Sequence, residues 1–436
     1  MCVEYNLYLD YLFRTNNNPK YLQDFKQVLK DMFVDKFGSR SYSQTNNILT
    51  CLVYNIVRSY NRGCLGLYVS RDSNCYNTDV IYNGQIMNFK IGYQGMTKWL
   101  DFLEEQNLII SHKGYFVDSK NKENGYILFT DNLLNMINTH VDKSKLKFKL
   151  LENVLVLRDI NGQDLPFRRT KEIKTMIDLI NSYNKFMSEQ QVTLYGDRLT
   201  TEIHRTFSRS SFEKGGRYYS SGKGIQQISK NDRINVLINN ENIVELDYKA
   251  LHPSILFEKK GIILDENFDV YGGEAGQFLF YVNTDYVLKR REYDKKYNPV
   301  RNFLKKSLLI LINGREESQV IFKINQLLAE DKKYEEKDRL FEGIVDPDAE
   351  TAIEFLKEHN YLISDYFHSD AGIDLQKVDS DIMSMIIEYC VQREIPILTV
   401  HDSVIVQQKF AGELISVMKE SYKAVVGSNN NCRIEV

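Results

Sequence analysis

The feature that most constrains this chain is a set of short β-rich runs that each present an aspartate at a turn. Ile243-Val244-Glu245-Leu246-Asp247-Tyr248 reads as an apolar strand ending on an acid, and Lys249-Ala250-Leu251-His252-Pro253-Ser254 then turns into a helix. Far downstream, Ile397-Leu398-Thr399-Val400 and Val404-Ile405-Val406 flank the polar turn His401-Asp402-Ser403. This pattern predicts a hairpin with Asp402 at its tip. Carboxylates at a strand end and a hairpin tip can converge on Mg²⁺, a hard cation that takes carboxylate oxygens and substrate phosphates. Two such ions about 4 Å apart stabilise the attacking and leaving oxygens of an in-line phosphoryl transfer. Singly, a strand-end Asp is more simply a cap or turn former, so the pair needs a third element.

That element lies between them. Asn298-Pro299 is a helix start, with Asn capping and Pro at the first position, and Asn313-Gly314 is a stop. Arg301 and Lys305 are four apart and share a face. Leu308 to Ile312 are apolar all round, so the second half is expected to be buried. Residues 289–306 hold eight basic side chains against Glu292 and Asp294. A buried helix whose entry end projects Arg and Lys suits a triphosphate.

These segments resemble motifs A, B and C of the superfamily that holds family A DNA polymerases and the single-subunit phage and mitochondrial RNA polymerases. Asp247-Tyr248 is similar to the start of motif A. Arg301, Lys305, Leu309 and Asn313-Gly314 follow the motif B frame, and His401-Asp402-Ser403 resembles motif C in the form nearer the RNA enzymes. Gly216-Arg217, Ser220-Ser221, Ile225-Gln226-Gln227-Ile228 and Arg233 resemble the block before motif A. Leu375-Gln376 with Asp379-Ser380 resembles the helix before motif C. The match spans roughly 205–410.

The resemblance implies an α+β right-hand fold with palm, fingers and thumb, and a template-directed, two-metal nucleotidyl transfer that extends a 3′-OH and releases pyrophosphate. Asp247, Asp402 and the Tyr248 carbonyl would hold two Mg²⁺ or Mn²⁺ ions. Arg301, Lys305, Leu309, Asn313 and His252 would meet the incoming nucleoside triphosphate, with Lys305 placed to protonate the leaving pyrophosphate. Arg217, Gln226, Gln227, Arg233, Gln376 and His401 would meet a DNA primer–template. The implied division is palm at 216–260 and 362–436, fingers at 261–361 and a thumb-like helical region at 139–215, after an N-terminal domain at 1–138. Two positions depart from the pattern: His252 stands where the DNA enzymes carry a sugar-gating Glu, and Asn313 stands where motif B ends on Tyr. The expectation is a DNA-dependent DNA polymerase of a phage, plasmid or mobile element. An RNA polymerase or primase of the same superfamily, or a replication initiator with a decayed core, stands as the alternative. No paired-carboxylate exonuclease motif is visible before the core, so no proofreading domain is expected.

Within 86–130, Met96, Trp99, Leu100 and Leu103 recur at helical spacing and Asn107 closes the helix. Leu108-Ile109-Ile110 reads as a strand, and Gly114 to Val117 with Tyr126 to Phe129 as a hairpin around a polar tip. This order resembles a winged helix, with Lys120 and Lys122 suited to phosphates. Residues 1–85 read as irregular, with short helical patterns such as Tyr21 to Phe33. Residues 140–215 read as mainly helical with a strand pair near Leu155–Phe167. Lys143, Lys145, Lys147 and Lys149 alternate with apolar residues, which fits a strand with one basic face, solvated or against a backbone.

The net charge of −3 gives no global basic field, so any nucleic-acid surface must be local. Cys2, Cys51, Cys64, Cys75, Cys390 and Cys432 form no CxxC pair, which argues against zinc and for reduced thiols. No stretch approaches the length of a membrane span, and residues 1–30 are too polar for a signal peptide, so the expected setting is cytoplasmic, the host cytoplasm if viral.

Overall fold

The computed structural model describes residues 22–61, 64–71, 73, 76, 79–88, 91–116, 122–123, 125–141, 153–221 and 224–436. The described residues form a mixed α/β architecture with two hydrophobic cores, one drawn from residues 22–141 and one from 154–422.

The first core is helix-rich. Helix α1 (Gln23–Phe37) falls on the helical pattern expected over Tyr21 to Phe33, and α2 (Ser39–Asn61) stands where irregular chain was expected. In α2, Ile48, Leu49, Leu52, Val53, Ile56 and Val57 are buried, an i, i+1, i+4, i+5 stripe among Asn, Ser and Tyr. Strands β1 (Gly66–Tyr68), β2 (Asp79–Tyr82) and β3 (Gln85–Asn88) lead to α3 (Tyr93–Glu105). Met96, Trp99, Leu100 and Leu103 are buried on α3, and Asn107 takes φ +53° past its end. Phe33 stacks on Trp99 at 4.0 Å between ring centroids. Strands β4 (Ile109–His112), β5 (Tyr115–Phe116), β6 (Lys122–Glu123) and β7 (Tyr126–Phe129) follow, then α4 (Asp131–His140). The hairpin register differs from the expected one. Tyr126–Phe129 pairs with Ile109–His112, and β5 pairs with β6 as a separate two-stranded tip. Ile109 and Ile127 are the residues that must be buried, and pairing β4 with β7 turns them inward together. Lys120 and the Lys143–Lys149 run lie outside the described residues.

The second core begins with β8 (Leu155–Leu157) and α5 (Lys171–Ser188), capped by the Thr170 side chain. Strands β9 (Val192–Leu194), β10 (Asp197–Arg198), β11 (Ile203–Ser208) and β12 (Ser211–Ser220) follow. The described part of 140–215 is thus one helix among strands, not a mainly helical region. The expected strand pair near Leu155–Phe167 is reduced to an Arg158–Asp164 bridge, because β8 pairs in parallel with β11 instead.

Next come α6 (Lys230–Arg233), β13 (Val236–Ile238), β14 (Glu241–Tyr248) and α7 (Leu251–Lys259). Asn239 and Asn240, at φ +53° and +63°, make the tight turn from β13 to β14. A helical stretch holds α8 (Gly273–Gly276), α9 (Thr284–Arg291), α10 (Pro299–Asn313), α11 (Glu317–Asp331) and α12 (Ala349–His359). The chain returns through α13 (Gly372–Gln392), β15 (Ile397–Val400), β16 (Ser403–Gln407), α14 (Ala411–Val426) and β17 (Ile434–Glu435). The seven-stranded sheet runs β10-β9-β13-β14-β16-β15, with β17 also on β14. Helix α13 packs beneath it against β12, α14, α5 and α7. The buried Tyr183 hydroxyl of α5 donates to the Ile397 carbonyl at 2.7 Å, tying that helix to β15. Among the described residues no helix is long and apolar enough to cross a membrane.

Candidate active site

Strand pairing brings the two predicted aspartates to one place. Asp247 of β14 lies opposite Ser403 of β16, so Asp402 of the preceding turn stands at the same end of the strand pair. Both neighbouring turns carry strain. His401 takes φ +56° in a two-residue turn where glycine is usual, and Ala250 takes φ +50° between β14 and α7. Left-handed backbone costs a non-glycine residue about 1–2 kcal/mol, which the surrounding packing offsets. On the far face, Leu246 and Tyr248 are buried, and the Tyr248 hydroxyl donates to the Met418 carbonyl at 2.6 Å.

A cavity of about 1310 Å³ opens over this strand end. Of the sequence-predicted residues it is lined by Arg217, Tyr248, His252, Arg301, Lys305, Leu309, Asn313, Gln376 and His401, together with Asp247 and Asp402. Burial and the charge of Asp402 push the Asp247 carboxyl up to about 6, against the pull of Lys230 and Lys305. Among the described residues neither Asp247 nor Asp402 has a hydrogen-bond or ion-pair partner. Two adjacent carboxylates left unneutralised are the donor set that a divalent cation satisfies. Among the described residues no cluster of three metal-type side chains forms, so a cation here would complete its shell from main chain, water or substrate phosphate. Burial and Arg217 hold the His401 imidazole below the usual histidine range, leaving it neutral at physiological pH.

The cationic wall comes from α10. The Asn298 side chain accepts from the Arg301 amide at 3.0 Å, and Val300, Phe303, Leu304, Ser307 and Leu308 are buried. This leaves Lys305 exposed on the cleft side. The last turns are apolar on every side but not buried on every side as expected, since Leu309 reaches the cavity and is only half-buried. Arg301 and Lys305 differ in partners. Arg301 donates to Asp269 at 2.7 and 3.2 Å, whereas Lys305 has no carboxylate within ion-pair distance among the described residues. Both lie over the Tyr271 ring, at 5.0 and 5.7 Å from its centroid. Asn313 turns its amide back to the Leu309 carbonyl at 2.6 Å.

Arg217 reaches the cavity from β12. Gly216 before it takes φ +82°, and a side chain there would meet Phe207 of β11 at 2.7 Å and Ser380 Oγ of α13 at 3.0 Å, so glycine lets β12 sit this close to both. Arg217 donates to Asp379 of α13 at 3.0 and 2.5 Å, and His252 Nε2 lies 2.8 Å from the same carboxylate.

Three predicted primer–template residues stand elsewhere. The Arg233 guanidinium is paired with Glu245 at 3.0 and 2.8 Å, and Glu245 also accepts from the Ser403 hydroxyl at 2.9 Å. Gln226 holds the Ser220 amide and the Tyr218 and Thr399 carbonyls. Gln227 accepts from Ser220 and the Gly224 amide. Arg233 and Gln226 are half-buried on the internal acid or backbone partners that polar groups at that depth require, Gln227 is exposed, and none of the three lines the cavity. Sequence reasoning passed over Tyr271, Asp269 and Lys230, and it gave Asp379 no role. Only Asp379 had a signal, its place three and four residues after Gln376 and Leu375 on one helical face.

No protein-family model matches this chain, and no curated protein matches it. Among solved structures, the POL domain of Pol1 from M. smegmatis, in complex with DNA primer-template and dNTP, is similar at a TM-score of 0.34 and 10% identity. The alignment covers 99% of this chain, which spans 66% of that one.

Proposed function

We propose that the cavity is the active site of a template-directed nucleotidyltransferase, a DNA-dependent DNA polymerase that extends a 3′-OH and releases pyrophosphate. The observation that carries this reading is the pair of carboxylates, Asp247 and Asp402, on the same cavity as the Lys305 ammonium, all three without an ion-pair partner among the described residues. Asp247, Asp402 and the Tyr248 carbonyl would hold Mg²⁺ or Mn²⁺, which would supply charge stabilisation to an in-line phosphoryl transfer. Lys305 binds the triphosphate and stands to give a proton to the departing pyrophosphate. Arg301, held by Asp269 over Tyr271, orients the same phosphates once it exchanges one of its carboxylate contacts. Neutral His401, Gln376 and Arg217 border the primer end, while Leu309, Asn313 and His252 border the nucleotide.

In this reading 216–260 and 362–436 are the palm, 261–361 the fingers and 139–215 the thumb. The helix-and-hairpin unit within 1–138 contacts DNA.

Primer extension with labelled primer–template, dNTPs or rNTPs, with and without Mg²⁺, tests the proposal. Metal-dependent extension by the parent protein is expected, with none from Asp247→Ala or Asp402→Ala variants that keep their circular dichroism. Full activity in either variant overturns the assignment. Extension with rNTPs alone replaces the DNA polymerase with an RNA polymerase or primase.

A further inference from the structure

Below the cavity, three elements meet on one carboxylate. Asp379 of α13 is 2% exposed and carries Arg217 of β12 on one side and His252 of α7 on the other. The same carboxylate oxygen accepts from the Arg217 guanidinium at 2.5 Å and serves as acceptor in both contacts, so the hydrogen of the 2.8 Å contact belongs to His252 Nε2. This makes the Arg217 Nη2 to His252 Nε2 approach, at 3.3 Å, a meeting of two donors. Two donors that close repel unless one acceptor serves both, and Asp379 is that acceptor. Nδ1 of His252 has no protein partner among the described residues, so one contact sets the ring plane on the cavity floor.

We propose that Asp379 is the positioning residue for sugar selection, holding His252 and Arg217 as one rigid unit so that the imidazole forms a fixed wall under the sugar of the incoming nucleotide. This rests on the polymerase reading of the cavity. A histidine free to rotate could swing aside for a 2′-hydroxyl or hydrogen-bond it. A ring tied at Nε2 to a buried carboxylate does not swing aside at low cost, and excludes the added oxygen by volume. The sugar choice of this chain is then made by two residues, 252 and 379, that are distant in sequence and belong to different elements.

The test is single-nucleotide incorporation by the full chain with dNTP and rNTP, comparing the parent with Asp379→Asn, His252→Ala and the double variant. Asp379→Asn keeps the shape but replaces the shared acceptor by a weaker one beside two donors. Relative use of rNTP should rise about tenfold in each single variant, the scale of one charged hydrogen bond lost. The double variant should go no further than either single one, and the change should fall on the KM ratio more than on kcat. Asp379→Glu, which keeps the charge for Arg217 but moves the oxygen that holds His252, should shift selectivity the same way and serves if the Asn variant fails to fold. In ¹⁵N spectra of histidine-labelled protein, the His252 signal should report hydrogen on Nε2 in the parent and a mixture in Asp379→Asn. A working polymerase whose ratio is unmoved by changes at Asp379, or whose single effects multiply in the double variant, overturns the inference alone. A parent protein that incorporates neither nucleotide overturns the polymerase reading and this inference with it.

Discussion

Replacing Asp247 by Asn should make the metal-free protein more stable while destroying its activity. The carboxyl is raised from an ordinary 3.8 to about 6, first by burial and then by Asp402. A raised carboxyl favours the folded state when neutral. That contribution is complete below about pH 4 and is lost as pH rises through about 6. At 1.36 kcal/mol per pH unit, holding Asp247 ionised in the fold at pH 8 costs roughly 3 kcal/mol. Asn has the shape of the neutral acid and no charge to desolvate, so it should recover most of that. Calorimetric unfolding in the presence of a chelator at pH 8 should show the transition of the 153–436 core raised by several degrees in Asp247→Asn. At pH 4 the two proteins should coincide. Added Mg²⁺ should stabilise the parent and leave the variant nearly unmoved. A variant less stable than the parent at pH 8, or a gap independent of pH, would refute the claim that Asp247 is an uncompensated charge.

Lys305→Ala should leave the melting temperature unchanged and lower single-turnover incorporation by about 10²–10³-fold. Arg301→Ala should in addition lose roughly 1–3 kcal/mol in denaturant unfolding, because Asp269 is left without its guanidinium. In Gly372→Ala the new methyl would fall 1.7 Å from Asn313 Oδ1, so the Asn313 amide must leave the Leu309 carbonyl or α13 and α10 must part. A loss of about 1–3 kcal/mol and weaker nucleotide binding by titration are expected. Tyr183→Phe removes one buried bond to β15 and should cost about 1 kcal/mol by thermal unfolding, with catalysis retained.

What was legible in the sequence was whatever local chemistry dictates. The strand ending at Asp247, the hairpin turn at Asp402 and the helix begun by Asn298-Pro299 each follow from residues within one or two turns of chain. The stripe through α2 was equally local, but its Asn, Ser and Tyr neighbours masked the period. Partner choice over distance was not legible. Nothing near Tyr126 says that it faces His112 instead of Tyr115, and nothing near Leu155 announces a parallel partner in Arg205. Polar side chains suffered most. Arg233 and Gln226 look like surface groups until their internal partners are known, and Asp379 looks like a helix-surface acid until Arg217 and His252 converge on it. Burial decides those roles, and burial is set by strands and helices far away in the chain.

The neighbours of Asp247 across the sheet, Ser403 and Glu435, come from more than a third of the chain away. Closing such loops adds little to the equilibrium cost, because the entropy grows only with the logarithm of length. It weighs on kinetics instead, since pairings of high contact order form slowly. The strand bearing Asp247 leaves the ribosome long before either partner exists, with its edges open and its carboxylate without the second acid. The helices of 273–359 can form from local contacts in that interval, and the two carboxylates can meet only once residues 397–407 have emerged. Nascent chains arrested before residue 403 should therefore hold folded helices and no metal affinity.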